Sequence, residues 1–264
     1  MKTRRLTKEQ LKNKRMGQIA MEDYRTVEIF VSHGLDYCCQ GDKTVGEACN
    51  ERGIEGETVL DELVRIYRLP PEQQEIGMEP DPGFQMGYII NRQHQMLFKR
   101  IGRIKKQVQA RLNEITGLNP AFFEITRKFI DLCDEMESHM RLEEQEVFPF
   151  LADLLDRGRN KNIDSAEQIK ERIAGLRSDH NHIGKLFDEI RQLNNRLIPP
   201  EIFDTFSACE VIAGSEGQNI PDEVCSFYRV ISVNFEEVER VIRDSVHLEN
   251  NLFIPNIGRY LQMN

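Results

Sequence analysis

The chain has 264 residues and a formal net charge of −9 at pH 7, with 30% charged and 39% hydrophobic residues. This length allows one large domain or two smaller ones. No stretch approaches the ~20 apolar residues that a transmembrane helix needs, and the acidic balance argues against nucleic acid as a general partner. We therefore expect neither a membrane nor a nucleic acid among its partners.

The N-terminal residues 1–16 are basic, but no apolar h-region follows them. We therefore predict no secretory signal, and we interpret residues 1–16 as a solvated arm. The six cysteines are scattered and contain no CxxC pair. This usage predicts neither a disulfide framework nor a cysteine-based zinc ribbon, and it favours a cytoplasmic location.

Three regions follow the arm. Residues 17–68 have the pattern of short helices, residues 69–83 form a linker rich in proline and glycine, and residues 84–264 form a helical domain. Glycine and proline breaks predict four long helices and one short helix, at 84–115, 120–155, 163–195, 222–262 and near 201–213. The predicted fold class is all-α, an up-down-up-down four-helix bundle preceded by a small helical domain.

Each long helix has an apolar stripe that is interrupted by a side chain able to bind metal. Stripe positions face the core, where imidazoles and carboxylates are costly unless something satisfies them. The five residues are His94, His139, Glu143, His180 and Glu249. At ~1.5 Å of rise per residue, an antiparallel bundle would bring all five within about two turns of one level. The pattern predicts a metal at the centre of the bundle.

The chemistry of these residues narrows the metal. His139 and Glu143 are four residues apart, so they project from one helix face. Imidazole with bridging carboxylate suits iron or manganese, and zinc also accepts it, whereas the absence of cysteine argues against an iron–sulfur cluster here. Glu144 and Asp179 flank the predicted ligands and could orient them.

Single residues of this set have simpler interpretations. An HxxxE pair is often a solvated helix-face pair, and His180 alone is more often a hydrogen-bonded core histidine. His182 and His247 lie two residues from predicted ligands and should face solvent, and His33 should be structural or exposed. Only the combined pattern favours a metal site.

The adjacent Cys38 and Cys39 have two interpretations. Taken alone, they are buried small residues more often than a redox centre, because adjacent cysteines bridge only with backbone strain. Near a helix start, a cysteine can become a nucleophile or a metal ligand. The flanking Gly34 and Gly41 indicate tight turns that could expose them.

Together these segments resemble the repair-of-iron-centres proteins (RIC, YtfE/ScdA type), which are haemerythrin-like di-iron proteins. The resemblance begins near residue 17 and rests on five stretches. They are Gly34-Leu35-Asp36-Tyr37-Cys38-Cys39-Gln40-Gly41, Arg92-Gln93-His94, Ser138-His139-Met140 through Glu143-Glu144, Ser178-Asp179-His180, and Leu248-Glu249-Asn250-Asn251.

The resemblance implies non-haem iron with carboxylate bridges and a role in repairing iron–sulfur clusters damaged by nitric oxide or oxidants, by iron donation. It implies that Cys38 and Cys39 take part as catalytic residues. It also implies that iron–sulfur proteins or a cluster scaffold are clients, and that the chain can form a homodimer.

Two histidines of the family pattern are absent. One place falls near Ile115, with Glu114 beside it, and the other is Ser245. These absences predict a second iron that is weakly bound, water-rich or missing, unless Glu114, Ser245, His182 or His247 compensates. Residues 201–220 are an apparent insertion relative to the family. Two alternatives remain open: a sensor that binds dioxygen or nitric oxide, and a partner-binding bundle that has lost part of its metal site.

Overall fold

A computed structural model describes residues 6–69, 81–114, 119–156, 163–198, 206–213 and 222–260. These ranges contain thirteen α-helices and no strand, apart from an isolated bridge between Arg15 and Thr44. The helices are α1 (Lys8–Lys12), α2 (Met16–Glu22), α3 (Thr26–Ser32), α4 (Val45–Arg52), α5 (Gly56–Arg68), α6 (Pro82–Tyr88), α7 (Gln95–Glu114), α8 (Pro120–Leu142), α9 (Phe148–Asp156), α10 (Ile163–Leu197), α11 (Phe206–Ala213), α12 (Asp222–Leu248) and α13 (Ile254–Tyr260). The all-α prediction is confirmed.

Within the described ranges, three π-helical segments join consecutive helices. They are Ile89–His94 between α6 and α7, Glu143–Val147 between α8 and α9, and Glu249–Phe253 between α12 and α13. The four predicted long helices are therefore present, with ends within a few residues of those expected. Three of the four contain a π-helical segment. The short helix expected near 201–213 is α11.

Local sequence explains where these helices begin. At the start of α8, the Asn119 side chain accepts a hydrogen bond from the backbone N–H of Ala121, and Pro120 occupies the first turn, where its missing N–H costs nothing. Among the described helices, none is long and apolar enough to cross a membrane. The up-down-up-down order and the domain boundaries stay predictions, and most of the predicted linker, residues 70–80, lies outside the described residues.

The chain divides into two compact units. The first comprises Met1–Ile89, Ala152–Arg177 and Arg243–Asn264, and the second comprises Ile90–Leu151 and Ser178–Ile242. In the first unit, α5 buries one face against α1, α3 and α4. Thr44 and Glu47 form a reciprocal capping box that begins α4.

The basic N-terminal residues differ from the predicted solvated arm. Residues 8–12 form α1, Leu11 is fully buried, and Lys8 pairs with Glu57 and Asp61 of α5. The arm prediction is therefore wrong for these residues, because one apolar side chain anchors an otherwise charged turn. Residues 1–5 lie outside the described residues.

The second unit has an aromatic core. Phe129 and Phe187 both pack edge-on against Phe235, with ring centroids 5.4 and 5.9 Å away. Arg191 of α10 binds the buried carboxylate of Glu239 on α12 with N–O distances of 2.6–3.1 Å. These contacts fix the mutual rotation of α8, α10 and α12, and therefore the directions in which their remaining side chains point.

The cysteines include one pair that the sequence did not predict. Cys209 of α11 and Cys225 of α12 form a disulfide, whereas Cys38, Cys39, Cys49 and Cys133 are free. The sequence predicted no disulfide framework, and this single pair was not anticipated, because the fold brings together residues that have no recognisable sequence spacing.

Candidate metal centre

The second unit gathers four of the five predicted ligands. His94, Glu143 and His180 are fully buried, and His139 is 5% exposed. His139 Nε2 lies 2.9 Å from His180 Nε2. Glu143 Oε2 lies 3.5 Å from His139 Nε2 and 3.3 Å from His94 Nε2. One ligand atom from each of His139, Glu143 and His180 falls within 4.8 Å of the others.

Carboxylates hold the far side of two of these imidazoles. His94 Nδ1 lies 2.9 Å from Glu144 Oε1, and His139 Nδ1 lies 3.4 Å from Asp179 Oδ2. The hydrogen bond from His139 lowers the pKa of the Asp179 carboxyl. A proton held on Nδ1 leaves the Nε2 lone pair for a metal, so these are the contacts expected of metal-binding histidines.

The donor set fits a non-haem iron ion. Three imidazoles and a carboxylate buried together would be costly without a positive charge to share. Nitrogen and carboxylate oxygen are the ligands that iron and manganese accept, and the described cluster contains no thiolate. The convergence of the two Nε2 atoms beside Glu143 Oε2 is therefore the arrangement that a cation would stabilise.

Glu249, the fifth predicted ligand, belongs to the first unit. It is fully buried and begins the π-helical segment Glu249–Phe253. Its Oε1 accepts a hydrogen bond of 3.0 Å from the hydroxyl of Ser245, which is also fully buried. The serine that replaces a family histidine thus orients a predicted ligand. The roles of all five residues as ligands stay predictions.

Each of these three described π-helical segments begins or ends at a predicted ligand, and none of the three was predicted from the sequence. Glu143 and Glu249 are first residues, and His94 is a last residue. Pro149 and Pro255 each follow a ligand glutamate by six residues. Proline removes an N–H and crowds the carbonyl four residues back in an α-helix, and a wider π-turn relieves that conflict. These two prolines are therefore the sequence feature that could have predicted the π-turns at Glu143 and Glu249.

Two of the remaining histidines lie where the sequence predicted. His182 is exposed, and its Nε2 lies 2.9 Å from Glu135 Oε2. His33 is half-buried and lies 3.1 Å from Glu62. The side chain of Glu114, named as a possible substitute ligand, lies outside the described residues, as does Ile115.

The prediction that His247 faces solvent is wrong. Its side chain is buried, its ring packs against that of Tyr37 with centroids 5.2 Å apart, and its Nδ1 lies 3.0 Å from Asn251 Nδ2. Burial lowers the pKa of His247 to about 4. Tyr37, from a distant segment of the same unit, covers this imidazole and shields it from solvent.

The cysteine pair forms a second polar cluster, in the first unit. Cys38 is buried, and its Sγ lies 3.1 Å from Asp36 Oδ1 and 3.5 Å from the Sγ of the half-buried Cys39. Asp36 Oδ1 also accepts the backbone N–H of Cys39 and a 3.2 Å hydrogen bond from Arg243. Burial raises the pKa of the Cys38 thiol well above its ordinary value. Asp36, Cys38 and Cys39 offer ligand atoms within 4.8 Å of one another.

Asparagines that follow Glu249 hold this cysteine loop in place. The Asn250 side chain donates to the Cys38 carbonyl at 3.1 Å. The Asn251 side chain fits against Gly17 and Gly41, where a Cβ atom would lie 2.0 and 2.7 Å from its Oδ1. Gly41 is therefore required for close approach, whereas Gly34 has φ +66°, as a tight turn requires. The motifs could be identified from the sequence, but the contacts that Asp36, Arg243 and the two asparagines make with the cysteine loop could not.

An all-α fold that buries a cluster of imidazoles and a carboxylate is typical of non-haem metal proteins. The chain belongs to the family of the Hemerythrin HHE cation binding domain, whose family model matches residues 86–257. The ScdA_N model, described as a domain of unknown function, matches residues 12–67. Haemerythrin HHE domains bind non-haem iron, which is the cofactor that the sequence predicted.

Similar proteins cover nearly the whole chain. One is the iron-sulfur cluster repair protein ScdA of Staphylococcus haemolyticus, 26% identical over 90% of this chain and 94% of the relative. Others are the iron-sulfur cluster repair proteins YtfE of Yersinia pestis and of Yersinia pseudotuberculosis, each 22% identical over 94% of this chain and 98% of the relative. The resemblance to the repair-of-iron-centres family is confirmed.

Proposed function

We propose that this protein repairs iron–sulfur clusters damaged by oxidative or nitrosative stress, by donating iron from a non-haem centre. The observation that carries the proposal is the convergence of His139 Nε2 and His180 Nε2, 2.9 Å apart, beside the buried carboxylate of Glu143. The names of the similar proteins support the repair role.

In this proposal His94, His139 and His180 supply nitrogen, and Glu143 and Glu249 supply carboxylate oxygen. When bound, iron supplies a redox-active ion that can be transferred. Glu144 and Asp179 keep protons on the Nδ1 atoms of His94 and His139, and Ser245 holds Oε1 of Glu249. The loss of two family histidines leaves fewer nitrogen donors, which favours release of iron to a client.

The proposal gives Cys38 and Cys39 the task of accepting iron or of handling redox equivalents. Cys39 is the more exposed thiol, so it is the one that a client reaches, and Asp36 adds a carboxylate oxygen. The contact of Asn250 supports a role of the cysteines in iron transfer, since Asn250 follows the predicted ligand Glu249 directly and donates a hydrogen bond to the Cys38 carbonyl. Clients would be iron–sulfur proteins or a cluster scaffold in the cytoplasm, reached by a monomer or a homodimer.

The test is iron transfer to a [4Fe–4S] protein whose cluster has been damaged by nitric oxide. The protein is loaded anaerobically with iron-57 and mixed with the damaged client, and cluster absorbance and label in the client are followed. We expect both to rise, to fail with the H139A/E143A variant, and to persist with the H182A variant, which changes an exposed histidine. Binding of nitric oxide or dioxygen with no label in the client would contradict donation and favour the sensor alternative.

A further inference from the structure

The disulfide between Cys209 and Cys225 joins two helices of the second unit and contains none of the predicted metal ligands. Cys209 lies on α11 and is 2% exposed, and Cys225 lies on α12 and is half-buried. Their Cα atoms are 5.1 Å apart, within the usual range for a disulfide, and 16 positions separate them in sequence. The bond therefore closes a short loop that includes the end of α11 and the start of α12.

The far end of α11 is fastened by hydrogen bonds to the start of α8. The backbone N–H of Asn119 donates to the Ile212 carbonyl at 2.8 Å, and its side-chain amide donates to the Val211 carbonyl at 3.1 Å. Asn119 is also the cap of α8. Two carbonyl oxygens at the end of α11 thus accept hydrogen bonds from Asn119, the residue that caps α8.

The disulfide adds a covalent fastening to this junction. Phe227, two residues after Cys225, packs against Phe122 in the first turn of α8, with ring centroids 5.9 Å apart. α11 is therefore held to α12 by a covalent bond and to α8 by hydrogen bonds, and it also buries Ala208 and Ile212 completely. Breaking the disulfide would remove the covalent attachment and leave the hydrogen bonds and the buried side chains in place.

The solvent exposure of each cysteine determines which sulfur an external thiolate can attack. Cys133 is fully buried, and burial raises its pKa to about 12, so its thiol is unreactive near neutral pH. Cys225 is partly accessible, whereas Cys209 is shielded. An external thiolate can therefore reach one sulfur of the pair, and the other is the leaving group.

We propose that Cys209 and Cys225 form a thiol–disulfide exchange site that ties α11 covalently to α12 when oxidised and removes that tie when reduced, with low-molecular-weight thiols and disulfides as the exchange partners. A small thiolate attacks the Cys225 sulfur, the bond to Cys209 breaks, and Cys209 leaves as a thiolate that takes a proton. A second small thiolate attacks the outer sulfur of the mixed disulfide, which frees the Cys225 thiolate to take a proton. Two small thiols become one small disulfide, so two electrons pass to the Cys209–Cys225 pair. The reverse steps form the Cys209–Cys225 bond again.

The test uses the full chain equilibrated with reduced and oxidised glutathione at a series of ratios, quenched with an alkylating agent and mapped by peptide mass spectrometry. We expect the Cys209–Cys225 crosslink to convert to two alkylated thiols as the reduced fraction rises. The melting temperature should fall by roughly 6–12 °C on reduction, because a crosslink that closes a loop of this size restricts the unfolded chain and thereby stabilises the folded one.

Two variants distinguish the effect of the Cys209–Cys225 disulfide from effects of the other cysteines. C209S/C225S should show no difference in melting temperature between the redox buffers, whereas C133A should keep the full difference. If C209S/C225S does not fold, the comparison of the reduced and oxidised natural chain decides. No crosslink at any ratio, a glutathione adduct on Cys39 in place of the crosslink, or equal melting temperatures of the bonded and reduced forms would each overturn the proposal.

Discussion

At the scale of single residues, two acidic side chains determine which nitrogen of a histidine is available. Glu144 lies 2.9 Å from His94 Nδ1, and Asp179 lies 3.4 Å from His139 Nδ1. Groups that orient a metal-binding imidazole in this way typically contribute 10–100-fold to affinity, about as much as some direct ligands. Residues that never touch the metal should therefore be visible in binding measurements.

We expect E144A to weaken iron binding about 10-fold, because His94 loses the acceptor that fixes its proton on Nδ1. The matched control is E146A, since Glu146 lies in the same π-helical segment and is exposed. Competition with a chromophoric chelator measures both affinities. Equal affinities for the two variants would show that Glu144 does not orient a ligand.

The two adjacent cysteines should differ in reactivity. Burial raises the pKa of Cys38 well above its ordinary value, so near pH 8 its sulfur stays protonated, whereas Cys39 is partly exposed. We expect an alkylating agent to modify Cys39 first, with the fast phase lost in C39S and kept in C38S. Peptide mass spectrometry over time measures this, and faster modification of Cys38 would contradict it.

The sequence was most informative for residues whose environment is local. His139, Glu143 and His180 interrupt apolar stripes, and the periodicity of a helix sufficed to predict their convergence. Asp36 and Arg243 are far apart in the chain, and no pattern within either segment announces that they meet at Cys38. The burial of His247 depended in the same way on a distant covering element.

At the scale of elements, each of the three described π-helical segments positions a predicted metal ligand. A π-turn adds one residue to the helix and rotates everything after it, so it allows Glu143 to face inward while the apolar stripe continues on the same side. The helices themselves could be predicted from stripes, caps and breaks. The π-turns could not, because a periodicity argument assumes a uniform helix.

Replacing Pro149 tests the origin of one π-turn. We expect P149A to raise the stability of the metal-free protein by up to about 1 kcal/mol, because alanine restores an N–H and favours an α-helical register. The same change should lower iron affinity, because Glu143 lies in the turn that would contract. Thermal unfolding and chelator competition measure the two effects.

The control for this change is L142A, which alters an exposed side chain just before the same segment without adding an N–H. It should leave iron affinity unchanged. If P149A binds iron as tightly as the natural chain, the π-turn at Glu143 does not depend on its proline.

At the scale of the whole molecule, metal binding and folding should be coupled. A ligand that binds only the folded state stabilises it by an amount that grows with the logarithm of its concentration, about 4 kcal/mol at 1,000 times Kd. Removing iron with a chelator should therefore lower the melting temperature by roughly 8–16 °C for a chain of this size. A melting temperature that does not respond to chelation would favour the alternative of a bundle that has lost its metal.

Whole-molecule features divided clearly into those the sequence indicates and those it does not. Stripes and breaks predicted an all-α chain with a cysteine-containing N-terminal region, and residue motifs predicted its family. The disulfide between Cys209 and Cys225 was not predicted, because it depends on how α11 packs on α12. The helix at Lys8–Lys12 was missed because its composition is that of a solvated segment, with Leu11 as its one buried side chain.

Iron content of the anaerobically purified protein, measured by elemental analysis together with a Mössbauer spectrum, tests the metal centre most directly. We predict at least one iron per chain, bound by nitrogen and oxygen, in the natural protein and in the H182A control, and little or none in H139A/E143A. A natural chain without iron, or a folded H139A/E143A variant that keeps it, would contradict a centre built from these imidazoles and carboxylates.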